Sequence, residues 1–272
     1  MFERPTRFGL IAGDGEYPII IAKEAIKNGS EIIGIGFTDI TSPQLAELIP
    51  NFIWTPFGKI EPIVNAFMSN NINKAIFAGK IHQSVIFKTD HFDPLVKNTL
   101  EKLPTQQADS LIGAATKAFG MFGVDFLDAR TFMEDHLAHP GVMTQCQPDE
   151  NQMKAIEYGY KLAKHIAEED IGQTVVVKNR AVLAVEAMEG TDRTIERAMH
   201  YGKEGITIVK VSKPKQDFRY DIPVIGLDTL ELVKSIPHVV IAVEAEKTLM
   251  LNRDKVIHRA NELGICLYGV EA

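Results

Sequence analysis

Two cysteines in 272 residues, Cys146 and Cys266, are too few and too far apart to staple a disulfide framework or to offer a zinc-ligand spacing. Apolar runs are short as well: residues 19–22 and 239–243 fall far below the roughly 20 residues that a membrane-spanning helix needs. Positive charge is not in excess. The net charge of −7 argues against a broad grip on nucleic acid and leaves any anionic ligand to a local basic cluster. No G-x-S-x-G nucleophile elbow occurs, neither cysteine has a catalytic setting, and His82, His91, His136 and His139 match no metal-ligand pattern, so structural or surface roles are expected for them. Glu3, Arg4 and Arg7 break up the N-terminus, which does not resemble a secretory signal, and a reducing cytoplasm is expected.

What is present is enough apolar residue, 45%, to bury one large or two medium cores. Short apolar runs at 8–12, 31–37, 52–55, 74–78 and 124–127 read as strands, and they alternate with helical patterns at 19–28, 43–49, 60–69 and 109–119. That alternation predicts a Rossmann-like parallel sheet with right-handed crossovers over residues 1–135, closed by a helix at 129–135. Residues 136–149 lack periodicity and read as a linker. Beyond them, a long helix at 150–168, a hairpin of 174–177 with 181–185, and further strands at 205–209, 239–245, 248–251 and 265–270 predict a mixed α/β catalytic domain over 150–272. The class is therefore α/β, with two differently built domains.

Three places could carry chemistry. Gly13 and Gly15 sit in a turn between strand and helix, where backbone N–H groups and the positive helix end suit a phosphate. Pro18 stands where a dinucleotide fingerprint has its third glycine, and a tight turn that needs glycine is the plain alternative. Glu189-Gly190-Thr191-Asp192 places acids at a helix start, either as a cap on Thr191 or Asp192 or as a ligand site. The densest cluster is Lys210, Lys213, Lys215, Asp217, Arg219 and Asp221, ahead of Pro223. Asp217 and Asp221 could share a hard cation such as Mg2+, with Lys210, Lys213 and Arg219 neutralising phosphate oxygens. A solvated loop is the alternative there.

Taken together, Gly9-Leu-Ile-Ala-Gly-Asp-Gly-Glu-Tyr-Pro18, Ala78-Gly-Lys80, Val185-Glu-Ala-Met-Glu-Gly-Thr-Asp192, Val209-Lys-Val-Ser-Lys-Pro-Lys-Gln-Asp-Phe-Arg-Tyr-Asp-Ile-Pro-Val-Ile-Gly226 and Val243-Glu-Ala-Glu-Lys-Thr-Leu249 resemble the UDP-2,3-diacylglucosamine pyrophosphatases of the lipid A pathway. The resemblance spans nearly the whole chain. It implies a cytoplasmic hydrolase, dependent on Mg2+ with Mn2+ as a substitute, that yields UMP and lipid X. It also implies a catalytic or metal-binding aspartate in Gln216-Asp217-Phe218-Arg219, with Asp221 beside it. Substrate contacts are expected at Gly13, Gly15, Lys80, Thr191, Asp192, Lys210, Lys213, Gln216 and Arg219. Peripheral contact with the inner membrane and a homodimer are further expectations, and no nucleic acid partner is expected. Two departures stand out. Around Ala108-Asp109-Ser110, where the family shows a glycine and paired aspartates, only Asp109 remains, and Tyr17 replaces a usual leucine, a change expected to preserve packing more than chemistry. A nicotinamide-dependent oxidoreductase and a non-catalytic nucleotide-binding regulator are the alternatives.

Overall fold

Strands covered on both faces can be apolar throughout, and the first half of the chain uses that rule. In the computed structural model, which describes residues 2–82, 85, 92–102 and 108–271, β1 (Arg7–Ala12), β2 (Glu31–Phe37), β3 (Asn51–Thr55), β4 (Lys74–Ala78) and β5 (Asp125–Phe126) form a five-stranded sheet. The order is β3-β2-β1-β4-β5 and every pairing is parallel. The helices are α1 (Tyr17–Lys27), α2 (Gln44–Leu48), α3 (Glu61–Ser69), α4 (Pro94–Lys102) and α5 (Ala108–Gly120). Ile11, Ile33, Ile35, Phe67 and Phe77 pack into one buried cluster. Gly9 leaves room for a ring: a Cβ there would lie 2.4 Å from Phe67. The chain reverses direction across the sheet between β1 and β4, which makes their carboxyl ends the topological switch point, where ligands of such sheets bind.

Two expectations fail in this half. Residues 129–135 form no helix. Ala129 N–H leaves the local ladder to reach Phe218 O at 2.8 Å, and Thr131 and Met133 close three-residue turns onto Asp128 and Arg130. Phe132 takes a positive φ of 69°, which no helix tolerates, and a short 3-10 turn, Glu134–His136, follows. Helix α4 was not expected, and it opens with Pro94 in the position where proline suits a helix start.

The second half mixes strand directions. β6 (Gly141–Val142), β7 (Thr174–Lys178), β8 (Ala181–Val185), β9 (Thr207–Lys210), β11 (Val240–Glu244) and β13 (Cys266–Val270) form a sheet ordered β6-β13-β11-β9-β7-β8. β9, β11 and β13 are parallel, while β6, β7 and β8 run against their neighbours. The β7–β8 hairpin turns through Asn179 and Arg180, both with φ near +50 to +60° (48° and 64°), as a two-residue turn requires. β10 (Val224–Ile225) and β12 (Leu249–Met250) pair separately. Around the sheet lie α6 (Glu150–Glu168), α7 (Thr191–Tyr201), α8 (Leu227–Val233) and α9 (Arg253–Leu263), and α6 starts on a reciprocal cap between Asp149 and Gln152. The N-cap of α7 is neither Thr191 nor Asp192 but Gly190, whose φ of 82° only glycine adopts cheaply. The chain divides into two compact units: residues up to Glu134 together with Asp217–Asp221, and Asp135–Gln216 together with Ile222–Ala272.

Candidate active site

The short segment that returns to the first unit carries the charged motif. Asp217–Asp221 makes one helical turn, in which Tyr220 N–H and Asp221 N–H both donate to Asp217 O, at 3.2 and 3.1 Å. That turn lets Arg219 fold back on Asp217. Its Nε donates to Oδ1 at 2.8 Å, its Nη2 to Oδ2 at 2.6 Å and its backbone N–H to Oδ1 at 3.2 Å. These hydrogen bonds, led by the Arg219 side chain and working against partial burial, hold the Asp217 carboxyl below the usual range, so it is ionised at neutral pH. The intervening residues anchor the turn. Phe218 O accepts from Ala129 N–H at 2.8 Å, and the Arg130 guanidinium, itself forked onto Asp128, lies 3.7 Å from the centre of the Phe218 ring. Tyr220 packs into the apolar cluster over Gly113, where a Cβ would meet its hydroxyl at 2.7 Å. Phe218 and Tyr220 anchor the segment, while the Asp217–Arg219 pair stays partly open to solvent.

The glycine turn lies at the switch point. Gly13 N–H donates to Ala78 O (2.8 Å), Asp14 and Lys80 exchange backbone hydrogen bonds (both 2.9 Å), and Gly15 N–H is taken by Asp14 Oδ1 (2.8 Å). A Cβ on Gly13 would lie 2.7 Å from Lys80 O, so this close crossing demands glycine. Both glycine amides are therefore engaged inside the turn and are not free donors in this state. Lys80 is exposed, and His82 Nε2 meets Asp14 Oδ2 at 3.0 Å. The turn is tied to the Asp217 segment: the Tyr17 hydroxyl donates to Ala129 O, and Ala129 N–H reaches Phe218 O. Tyr17 thus stays buried in the packing and adds a polar contact that a leucine could not make.

In the second unit the carboxyl ends of β9 and β11 are adjacent, with Lys210 opposite Val243. Lys210 Nζ donates to Thr191 Oγ1 at 2.9 Å, and Thr191 in turn donates to Glu186 Oε1 at 3.0 Å, which joins two of the expected site residues. Asp192 is exposed in the first turn of α7. Lys213 pairs with Asp170 at 2.7 Å, while Lys213 N–H donates to Gln216 Oε1 at 2.5 Å. One group escaped sequence reasoning. Glu244 is 0% exposed, yet it accepts from Ser212 N–H and Oγ, from Lys164 and from Lys247. Burial alone would raise its pKa, but the hydrogen bonds from Lys247, Ser212 and Lys164 prevail and hold it below the ordinary glutamate value. The signal was available as an acid inside the apolar run 239–245.

The donor set does not fit a resident cation as this structure holds it. Both Asp217 oxygens accept from Arg219, and among the described residues no group of three or more His, Cys, Asp or Glu side chains is placed to ligate an ion. Asp221 stands half-buried one turn from Asp217. The side chain of Asp109, and His91, lie outside the described residues. His139 lies against Arg253, and His82 against Asp14.

Comparison with known proteins covers the chain end to end. The LpxI N-terminal domain matches residues 7–136 and the LpxI C-terminal domain residues 139–268. The UDP-2,3-diacylglucosamine pyrophosphatase LpxI of Caulobacter vibrioides is 27% identical over 282 residues, covering 97% of this chain and 98% of that protein. Solved structures are more remote. Leucoanthocyanidin reductase with NADPH from Vitis vinifera is 11% identical with a TM-score of 0.30, over 98% of this chain and 78% of that one. The biotin carboxylase domain of Hydrogenobacter thermophilus 2-oxoglutarate carboxylase is 12% identical with a TM-score of 0.25, over 73% and 41%. Neither likeness bears on function. With both of its domains matched in order from residue 7 to residue 268, the chain belongs to the LpxI family.

Proposed function

We propose that the chain hydrolyses the diphosphate of UDP-2,3-diacylglucosamine, giving UMP and 2,3-diacylglucosamine 1-phosphate, lipid X. The observation that carries this reading is the Asp217–Arg219 fork in a family whose named relative is a pyrophosphatase for that substrate. In the reaction a P–O–P bond breaks and the water oxygen joins one of the two phosphoryl products. Asp217, kept ionised by Arg219, orients that water and accepts its proton through lone pairs the fork leaves open. Arg219 has further N–H donors for phosphoryl oxygens as charge moves onto them. Asp221 assists from the next turn. Lys80, Thr191, Asp192, Lys210, Lys213 and Gln216 are proposed substrate contacts, with Gly15, which has open space where a Cβ would stand, offering bare backbone for close approach and Gly13 shaping the turn beside it.

Magnesium enters the proposal in one form only: because Arg219 already neutralises Asp217, the cation is expected to arrive on the diphosphate rather than to reside in the protein. Peripheral contact with the inner membrane follows from a substrate with two acyl chains, and vesicle flotation tests it. No helix among the described residues is long and apolar enough to cross a membrane. A homodimer in the cytoplasm completes the proposal, with light scattering as its check. An oxidoreductase has less behind it, since Pro18 replaces the third glycine and the Gly13 and Gly15 amides are internally bonded. The deciding experiment is UMP release from UDP-2,3-diacylglucosamine, with and without EDTA, beside Asp217→Ala. Activity that survives the substitution overturns the assignment of Asp217; activity that survives EDTA overturns the metal requirement alone.

A further inference from the structure

We propose that Glu244 is a positioning residue for the segment that bears Asp217 and Arg219; this rests on the functional reading above. The chain leaves β9 at Lys210 and re-enters the second unit at Ile222, and the five residues Asp217–Asp221 in between belong to the first unit. Both ends of that excursion are fastened to the stretch 244–249. At the leading end, Ser212 is 1% exposed and every polar atom beyond its Cα is held. Its N–H and Oγ donate to Glu244 Oε2 at 2.8 and 2.7 Å, and its C=O accepts from Lys164 Nζ at 2.8 Å. Lys164 and Lys247 also donate to the carboxylate, at 3.1 and 2.6 Å, and the Tyr160 side chain hydrogen-bonds it as well. At the trailing end, Leu249 N–H donates to Pro223 O at 2.9 Å, and β10 then pairs with β12. The turn joining the two fastenings is closed by Thr248 N–H on Glu244 O at 3.1 Å.

A buried ion pair is a poor device for stability alone, because apolar side chains of similar volume do as well. What a carboxylate adds is direction. One group with two oxygens takes the N–H and O–H of the same residue and also meets the lysine that clamps its carbonyl, which fixes the orientation of Ser212 from which the chain departs. Gln216 and Lys213 then lock the next turn, from Lys213 N–H to Gln216 Oε1 and from Gln216 N–H to Lys213 O. Asp217 follows directly. The stretch 243–249, one of the segments that carry the resemblance, becomes the post from which the proposed reactive segment is hung.

The test uses full-length protein and the variants Glu244→Gln, Glu244→Asp and Ser212→Ala. Hydrogen exchange on peptides covering 213–221, thermal midpoint, and kcat and KM for UMP release are measured together. Glu244→Gln keeps the shape but loses the charge and one acceptor. It is expected to speed exchange in 213–221 selectively and to lower kcat by ~10-fold or more with KM within about twofold, since small misplacements of catalytic groups act on rate. Glu244→Asp restores charge without reach and falls between the two, and Ser212→Ala shows the same pattern more weakly. Unchanged exchange and kcat in Glu244→Gln would overturn the proposal, as would exchange rising equally across β9, β11 and α6, which is the mark of general support. If the wild-type protein releases no UMP, the functional reading falls, and the exchange data still decide whether Glu244 holds the segment.

Discussion

Asp217 meets its cation two residues along the chain, in a pair that leaves 31% of the Asp217 side chain and 41% of Arg219 in solvent. Glu244 meets one lysine three residues away and another 80 residues away, with none of its own side chain exposed. Both are kept ionised, but by opposite means. The Asp217 fork is local and partly open to solvent. The Glu244 cluster draws on α6, β11 and the chain after β9, so it cannot open without loosening all three. The charge proposed for chemistry is partly open to solvent, and the charge proposed as a brace is sealed from it.

The sharpest way to break that contrast is to remove each carboxylate in turn. Asp217→Ala is expected to lower UMP release by on the order of 10³-fold, within the range that general acid–base groups contribute, while leaving the urea midpoint near that of the wild type. A large stability loss instead would make Asp217 a brace as well. Glu244→Ala should do the reverse in kind: it leaves Lys164, Ser212 and Lys247 without their acceptor, and a broken buried pair costs about 3–5 kcal/mol, read as a shift in the urea unfolding curve. A cost under about 1 kcal/mol would place Glu244 among ordinary surface pairs.

Acidification tests the Glu244 side of the contrast. The folded-state pKa of Glu244 lies below its unfolded value, so its contribution is fully present above the ordinary glutamate pKa of about 4.3 and is lost as pH falls through the lower folded-state value. The stability gap between the wild-type protein and Glu244→Gln should hold from pH 7 down to about 5 and close below about 4, as followed by urea melts. A gap that widened on acidification would mean that Glu244 is protonated in the fold.

Much of the first sheet was legible, because strands covered on both faces write themselves as unbroken apolar runs, and the hairpin of β7 and β8 was marked by its turn. Residues 129–135 misled because their pattern is set by a partner some 90 positions away: Ala129 gives its N–H to Phe218, a contact with no local signature. The capping of α7 was misplaced by one residue, since Thr191 and Asp192 have the right chemistry but Gly190 has the required φ. At the site, Asp217 and Arg219 were legible as a motif and their fork was not, because it depends on the single turn from Asp217 to Asp221. Glu244 stayed hidden for the same reason, as its partners come from positions 160, 164, 212 and 247.

The smallest effect concerns the neutral counterpart of Glu244, the hydroxyl of Tyr17. Burial pushes the Tyr17 pKa far up, so the group remains a donor at any working pH and its contact with Ala129 O does not titrate. Tyr17→Phe keeps the ring that fills the space at the start of α1 and deletes only the oxygen, leaving a buried carbonyl short of one donor. The expected cost is about 1 kcal/mol in urea unfolding. Because Ala129 holds Phe218 through its N–H and not through that carbonyl, the Asp217 segment keeps its own hydrogen bond. UMP release should therefore fall by no more than about threefold, roughly the factor that 0.6 kcal/mol represents. A drop as deep as that of Glu244→Gln at equal stability would move the main brace of Asp217 and Arg219 to the first unit, and Glu244 would then be the lesser of the two.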